Sequence, residues 1–268
     1  MNRVPTMAGM IERRLLVNYR VDLEVLERLL PPPFRPQAIG GKGLAGICLI
    51  RLGQLRPAGL PAAIGMTTEN AAHRVAVEWD GPGGVCQGVY IPRRDTSSRL
   101  TLLLGGRLFP GEHHHALFRV REAHGRYEVA FASLDGTASA KVVASTATAI
   151  QDASVFRSVD EASKFFQDGP LGYSACHKGG RLEGLELRCA TWHVEPLAVE
   201  TAESSFFRSG ALFPAGAAEL DSALVMRNIP AIWQAREPLP TGVPSWARTA
   251  PGAGGNHCLD TPEAQQCA

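Results

Sequence analysis

The chain has 268 residues, a formal net charge of +1, 45% hydrophobic and 20% charged residues, a composition that suits a globular protein with a large core. Near-neutral charge with no basic stripe argues against a nucleic-acid partner, and no apolar run reaches the roughly 18 residues of a membrane span. The opening MNRVPTMAGMIERRLL lacks an apolar stretch of signal-peptide length, so a cytoplasmic setting is expected. Among the 27 basic residues, only Lys42, Lys141, Lys164 and Lys178 are lysine, which restricts any Schiff-base chemistry to those amines. Cys48, Cys86, Cys176, Cys189, Cys258 and Cys267 are scattered without a CxxC pair, as expected of reduced thiols and not of a zinc site.

In chain order, Glu12 to Tyr19 is apolar enough for an early strand. Asp22 then stands as an N-cap before Leu23 to Leu30, where Leu26, Leu29 and Leu30 share one helical face. Pro31-Pro32-Pro33 ends that helix. Leu44 to Leu52 reads as a buried strand. His73 to Trp79 alternates apolar and polar residues, turns at Asp80-Gly81-Pro82-Gly83-Gly84, and returns as Val85 to Ile91, a hairpin. Between Gly88 and His115 come a strand, a short helix-like segment ending in Gly105-Gly106-Arg107, and a turn at Phe109-Pro110.

A second hairpin pairs Ala116 to Glu122 with Tyr127 to Ala132, and Asp135-Gly136 turns the chain into Thr137 to Thr148. Ser158 caps a predicted helix over Val159 to Phe166, with Ala162, Phe165 and Phe166 on one face. Gly184 to Val194 is a further strand, and Asp221 to Gln234 carries an apolar run before Pro230. Closely spaced strands and Gly-rich turns predict an antiparallel sheet that curls or closes. One domain is expected over 1–237, and the Pro/Gly-rich 238–268 is expected to be a largely disordered tail.

The order of these pieces resembles the acetoacetate decarboxylase-like superfamily over roughly residues 10 to 236. The shared features are the helix with its LLPPPF exit, the Glu69-Asn70 segment, the hairpin, and the Gly106-Arg107 to Phe109-Pro110 element. The later segments resemble an uncharacterised bacterial branch: Phe165-Phe166, Gly169 to Tyr173, Gly179-Gly180-Arg181-Leu182, and Trp192 followed by Pro196. The resemblance implies a mainly β (α+β) fold, a conical antiparallel β-barrel with a few peripheral helices and a pocket inside the cone. It also places Glu69, Arg107, Gly111 and Glu112 at or near that pocket. In the superfamily the aromatic-Pro pair is followed by two lysines, one of which forms a Schiff base. Here Gly111 and Glu112 stand in their place, and neither supplies the amine such chemistry needs.

The remaining candidates come from residue chemistry. Glu112-His113-His114-His115 is the strongest cluster of proton-carrying groups, because imidazole titrates near neutrality. On a strand His113 and His115 share a face, as two metal ligands would, while His114 points away. No third ligand stands at a recognisable spacing, so no metal and no cofactor is assigned. Arg93-Arg94-Asp95 follows Tyr90 at a strand end, and an arginine there, Arg93 being the one assigned, suits a bidentate clamp on a carboxylate; pairing of Arg93 or Arg94 with Asp95, or capping of the following helix, competes. Lys141 alternates in phase with Ser139 and Val143, and either a pocket or a solvent orientation is open to it.

The expected site therefore has Glu69, Glu112 and His113 moving protons, with Arg93, Arg107 and Tyr90 holding substrate. The expected protein is a small-molecule pocket protein: an enzyme of lyase, isomerase or hydrolase type working without a Schiff base on a small carboxylate or oxo compound. The alternative is a non-catalytic binding or sensing protein on the same barrel. Homo-oligomerisation is open.

Overall fold

The computed structural model describes residues 4–104, 110–175 and 180–241. Long alternating segments become long strands. β1 (Met7–Val21) is followed by α1 (Leu23–Leu29), the short β2 (Arg35–Pro36) and β3 (Ala38–Ile39), then β4 (Lys42–Pro57), β5 (Met66–Gly81) and β6 (Gly84–Thr96). The helix α2 (Arg99–Leu104) leads to β7 (His114–Ala123), β8 (Arg126–Ser133) and β9 (Ser139–Thr146). Then come α3 (Val159–Asp168), β10 (Leu171–Ala175), β11 (Arg181–Cys189), β12 (Glu195–Ser204) and β13 (Ala218–Pro240). No helix is long and apolar enough to cross a membrane among the described residues.

The helix starts were legible, with one difference in chemistry. Ser158 caps α3 by accepting from the Glu161 backbone N–H at 3.1 Å. Asp22 occupies the N-cap of α1 but makes no side-chain cap bond; its carboxylate instead accepts from Lys42 Nζ at 2.5 Å. β1, β4, β5, β6 and β13 outrun their predicted limits, because cross-strand pairing recruits polar flanks that carry no periodic signal, whereas β9 falls inside the predicted Thr137–Thr148 and β11 ends at Cys189, short of the predicted Val194. β10 and β12 were not anticipated at all. β13 is continuous through Pro230, which stands opposite Met10 of β1. Nearby the strand changes neighbours, from β12 at Leu224 and Val225 to β11 from Ala231 onward. β13 pairs as far as Pro240 against Arg181, beyond the expected domain end, and 242–268 lies outside the described residues.

The strands form one 13-stranded sheet that closes on itself twice. One closure runs β5–β6–β7–β8–β9–β12–β13–β1–β4 and back to β5. The other runs β13–β1–β4–β5–β6–β10–β11 and back to β13. The two rings share the wall β13–β1–β4–β5–β6, so alternate residues of that wall face different interiors. The sheet is not purely antiparallel as expected: β6 pairs in parallel with both β7 and β10. Each parallel pair follows a long connection, which parallel pairing requires. Gly88 permits the β6–β10 approach, since a Cβ there would fall 2.5 Å from the Leu171 carbonyl oxygen.

The larger ring is filled with apolar side chains such as Leu15, Val17, Ile47, Val75, Val129, Phe131 and Val142. The opposite face of the shared wall carries Leu16, Cys48, Leu52 and Leu224, packed with Leu185, Trp233 and Phe166 of α3. This second interior is incompletely filled.

Candidate functional site

The cavity lies inside the smaller ring and has two adjacent lobes, of about 140 and 90 Å³. Both are lined by Ile50 of β4, Ala72 of β5, Arg94 of β6, Leu185 of β11 and Trp233 of β13. Short side chains at Cys48, Ala72 and Gly172 leave the space. The larger lobe adds Arg14, Arg74, Phe166 and Trp192. The smaller adds Asn70, Thr101, His113 and Asp95, whose carboxylate is paired with Arg93 at 2.9 Å.

Arg94 is the cation common to both lobes. Its cross-strand partner is Ala72, which offers no acceptor, and its Nε donates to Ser174 Oγ of β10 at 3.0 Å. Enclosure by protein pushes its pKa down to about 10, because burial disfavours the charged form. Among the described residues no carboxylate forms an ion pair with it.

His113 lines the smaller lobe together with Arg94. Its Nδ1 lies 3.1 Å from the Gly111 carbonyl oxygen, so that nitrogen is the donor and Nε2 carries the lone pair. Burial, followed by the positive charge of Arg94, pushes its pKa down to about 3; the imidazole is neutral at physiological pH. Gly111 itself adopts φ +92°, and its N–H donates to Glu183 Oε2 at 2.8 Å.

Of the expected site residues that the structure describes, only His113 lines the cavity. Glu112 is at the surface, 3.5 Å from His114 Nε2. Glu69 lies on the face opposite Asn70, where Arg13 Nη2 donates to its Oε2 at 2.5 Å while Arg13 Nη1 donates to Glu122. Burial raises the Glu69 pKa against the lowering influence of Arg13. His73 shares that face, enclosed in the larger ring with its Nε2 2.9 Å from Ser204 Oγ. Tyr90 packs against Phe34 on the same side, and burial raises its phenol pKa. Arg107 lies outside the described residues.

Arg93 is bonded to Asp95, Ser133 and Asp135, the competing partnership weighed from the sequence. Its neighbour Arg94 takes the cavity position because β6 carries one extra residue. The register steps from His73↔Arg93 to Val75↔Tyr90, so three residues on β6 span two on β5. Such a bulge reverses the alternation downstream. Pro92 inside the strand was the available signal, since proline in a strand marks an edge or a bulge.

The histidines do not act as one cluster. His113 faces the cavity, His114 Nδ1 meets Asp135 at 3.0 Å, and His115 Nε2 lies 3.3 Å from the Ser97 carbonyl oxygen. No group of three metal-ligating side chains occurs among the described residues. Lys42, Lys141 and Lys164 are all exposed. Lys141 stands opposite Glu203 on β12 and away from the cavity. Lys178 lies outside the described residues.

This mainly β fold is shared with acetoacetate decarboxylase-like proteins. An acetoacetate decarboxylase-like enzyme from Sphingomonas wittichii RW1 superposes with a TM-score of 0.57 at 14% identity, over 90% of this chain and 93% of that one. The enduracididine biosynthesis enzyme MppR, complexed with pyruvate, gives 0.58 at 14% identity over 90% and 92%. Acetoacetate decarboxylase from Legionella pneumophila gives 0.52 at 13% identity over 89% and 86%. Residues 10–226 match the model of DUF2071, described as an uncharacterized conserved protein, and the chain belongs to that family. No curated protein matches the sequence.

Proposed function

We propose that this protein is an enzyme that binds a small organic acid in the cavity of the smaller ring and moves a proton without forming a Schiff base. The observation that carries this reading is Arg94. It is an enclosed guanidinium lining both lobes, held by a serine hydroxyl alone among the described residues. A buried cation without a counter-charge is costly, and a planar carboxylate is its natural bidentate partner.

His113 supplies the proton chemistry. A lone pair on Nε2 beside the bound carboxylate is placed to take a proton from an adjacent carbon or hydroxyl. Its low pKa in the empty cavity rises once an anion offsets the charge of Arg94, which brings the imidazole toward the range where base catalysis works. MppR bound to pyruvate and the decarboxylases show that this fold accommodates small oxo acids in other proteins. The exposure of Lys42, Lys141 and Lys164 and the glycine at 111 support a mechanism without an imine.

The test is a thermal-shift screen of oxo, hydroxy and saturated acids, followed by proton NMR of each hit in deuterium oxide. Binding raises the melting temperature by mass action. Solvent deuterium entering the bound acid in the wild type, and not in His113→Gln, supports the enzyme. Binding that depends on Arg94 without exchange or turnover supports the sensing alternative. Binding unaffected by Arg94→Gln removes this site.

A further inference from the structure

We infer that the ligand carries two anionic groups, one for Arg94 and a second for Arg74 and Arg14, separated by a short apolar body. This deepens the reading of the cavity as an organic-acid site and rests on it. Arg74 and Arg14 line the larger lobe together with Arg94, and a single carboxylate leaves part of that positive charge unmatched.

Arg74 is buried on β5, where its Nη2 donates to Asn18 Oδ1 at 2.5 Å and its guanidinium sits 4.7 Å from the centre of the Phe166 ring. Its Nε is enclosed and has no hydrogen-bond partner among the described residues. Arg14 on β1 reaches only sulfur: Nε lies 3.4 Å from Cys48 Sγ and Nη1 3.7 Å from Met226 Sδ. Thiol and thioether sulfurs are weak acceptors. None of these partners is a carboxylate, so three guanidinium groups surround one lobe without a carboxylate paired to any of them among the described residues.

The geometry distributes those charges. Arg94 extends into the lobe of Asn70 and His113, whereas Arg14 and Arg74 line only the lobe closed by Phe166 and Trp192. Ile50, Leu185 and Trp233 lie between, lining both lobes. That sequence of cation, apolar wall and cation fits a dicarboxylate or a phosphorylated carboxylate. The two share the same chemistry, and the second anionic group is all that distinguishes them.

Isothermal titration calorimetry on the full chain with matched pairs tests this: butyrate against succinate, pentanoate against glutarate, hexanoate against adipate, with 2-phosphoglycolate as the phosphate arm. At least one dianion is expected to bind about tenfold or more tightly than its monoanionic match. Arg74→Gln should erase that preference and leave monoanion affinity in place, while Arg94→Gln weakens both. Arg74→Lys, which keeps the charge, should retain the preference and serves if the glutamine variant does not fold. A phosphoglycolate preference over every dicarboxylate assigns the second group as phosphate. Monoanions binding as tightly as dianions, still dependent on Arg94, overturns this inference and leaves the proposed function standing. No acid binding at all overturns both.

Discussion

Gly111 is pressed against Arg94: a Cβ on Gly111 would stand 3.3 Å from Arg94 Nε and 2.7 Å from Ser174 Cβ. The position where the superfamily resemblance expects a lysine is therefore occupied, in space, by the arginine and serine of the cavity wall. Glycine is needed here for two reasons, the contact and the positive φ of 92°.

Restoring lysine at that position is expected to damage the site and not to revive imine chemistry. Gly111→Lys should lower stability by about 1–3 kcal/mol through backbone strain and weaken acid binding by displacing Arg94 from Ser174. Borohydride reduction of the wild type with pyruvate should leave its mass unchanged. An adduct mapped to any lysine by mass spectrometry would contradict the Schiff-base-free reading.

His113 couples ligand binding to proton uptake. Its pKa is pushed down to about 3 by burial, then by Arg94, with His114 adding a smaller push. An anion on Arg94 raises that value, so the complex binds more protons than the free protein. Affinity should increase as pH falls through the range below neutrality, provided the acid itself stays ionised. Calorimetry in buffers of different ionisation enthalpy should show proton uptake in the wild type and its loss in His113→Gln.

His73 makes the fold acid-sensitive. Burial, followed by the charge of Arg93, takes its pKa from 6.5 down to about 3, so the unfolded chain binds this proton more readily than the folded one. The stabilisation is complete above pH 6.5 and is lost as pH falls toward 3. The loss reaches at most about 1.4 kcal/mol per pH unit. Urea midpoints of His73→Gln measured from pH 7 to pH 4 should fall less steeply than those of the wild type.

Arg13 and Glu69 form a buried pair, 1% and 15% exposed at their side chains, on the face away from the cavity. Arg13→Met is expected to cost about 3 kcal/mol, since it leaves the half-buried Glu69 with only the longer 3.9 Å approach of Arg51. Glu69→Gln should lower the melting temperature while leaving acid affinity within about twofold. A large loss of affinity in a folded Glu69→Gln protein would return this carboxylate to the site.

The residues closest to the expected site show what was readable. Ser158 announced α3, and the alternation of Val75, Val77 and Trp79 announced β5, because caps and periodicity are local signals. The choice between Arg93 and Arg94 was not readable, since both follow Tyr90 at the strand end and the bulge around Pro92 decides which of them faces the cavity. Arg14 and Arg74 carried no signal of their own, as Arg14 follows Arg13 in the early strand and Arg74 falls on the polar side of the His73 to Trp79 alternation.

The chain alone determined its mainly β character, its helix starts, and the absence of the paired lysines after Phe109-Pro110, since each of these is written in neighbouring residues. Only the tertiary structure decided which residues meet. Closing one sheet into two rings sends alternate residues of the shared wall to different interiors. Glu69 and His73 go to one and Asn70, Arg74 and Arg94 to the other. Side-chain alternation is a local property, whereas the partner strand that turns a face into an interior is set by pairings such as β10 with β6 and β11 with β13, far apart in sequence.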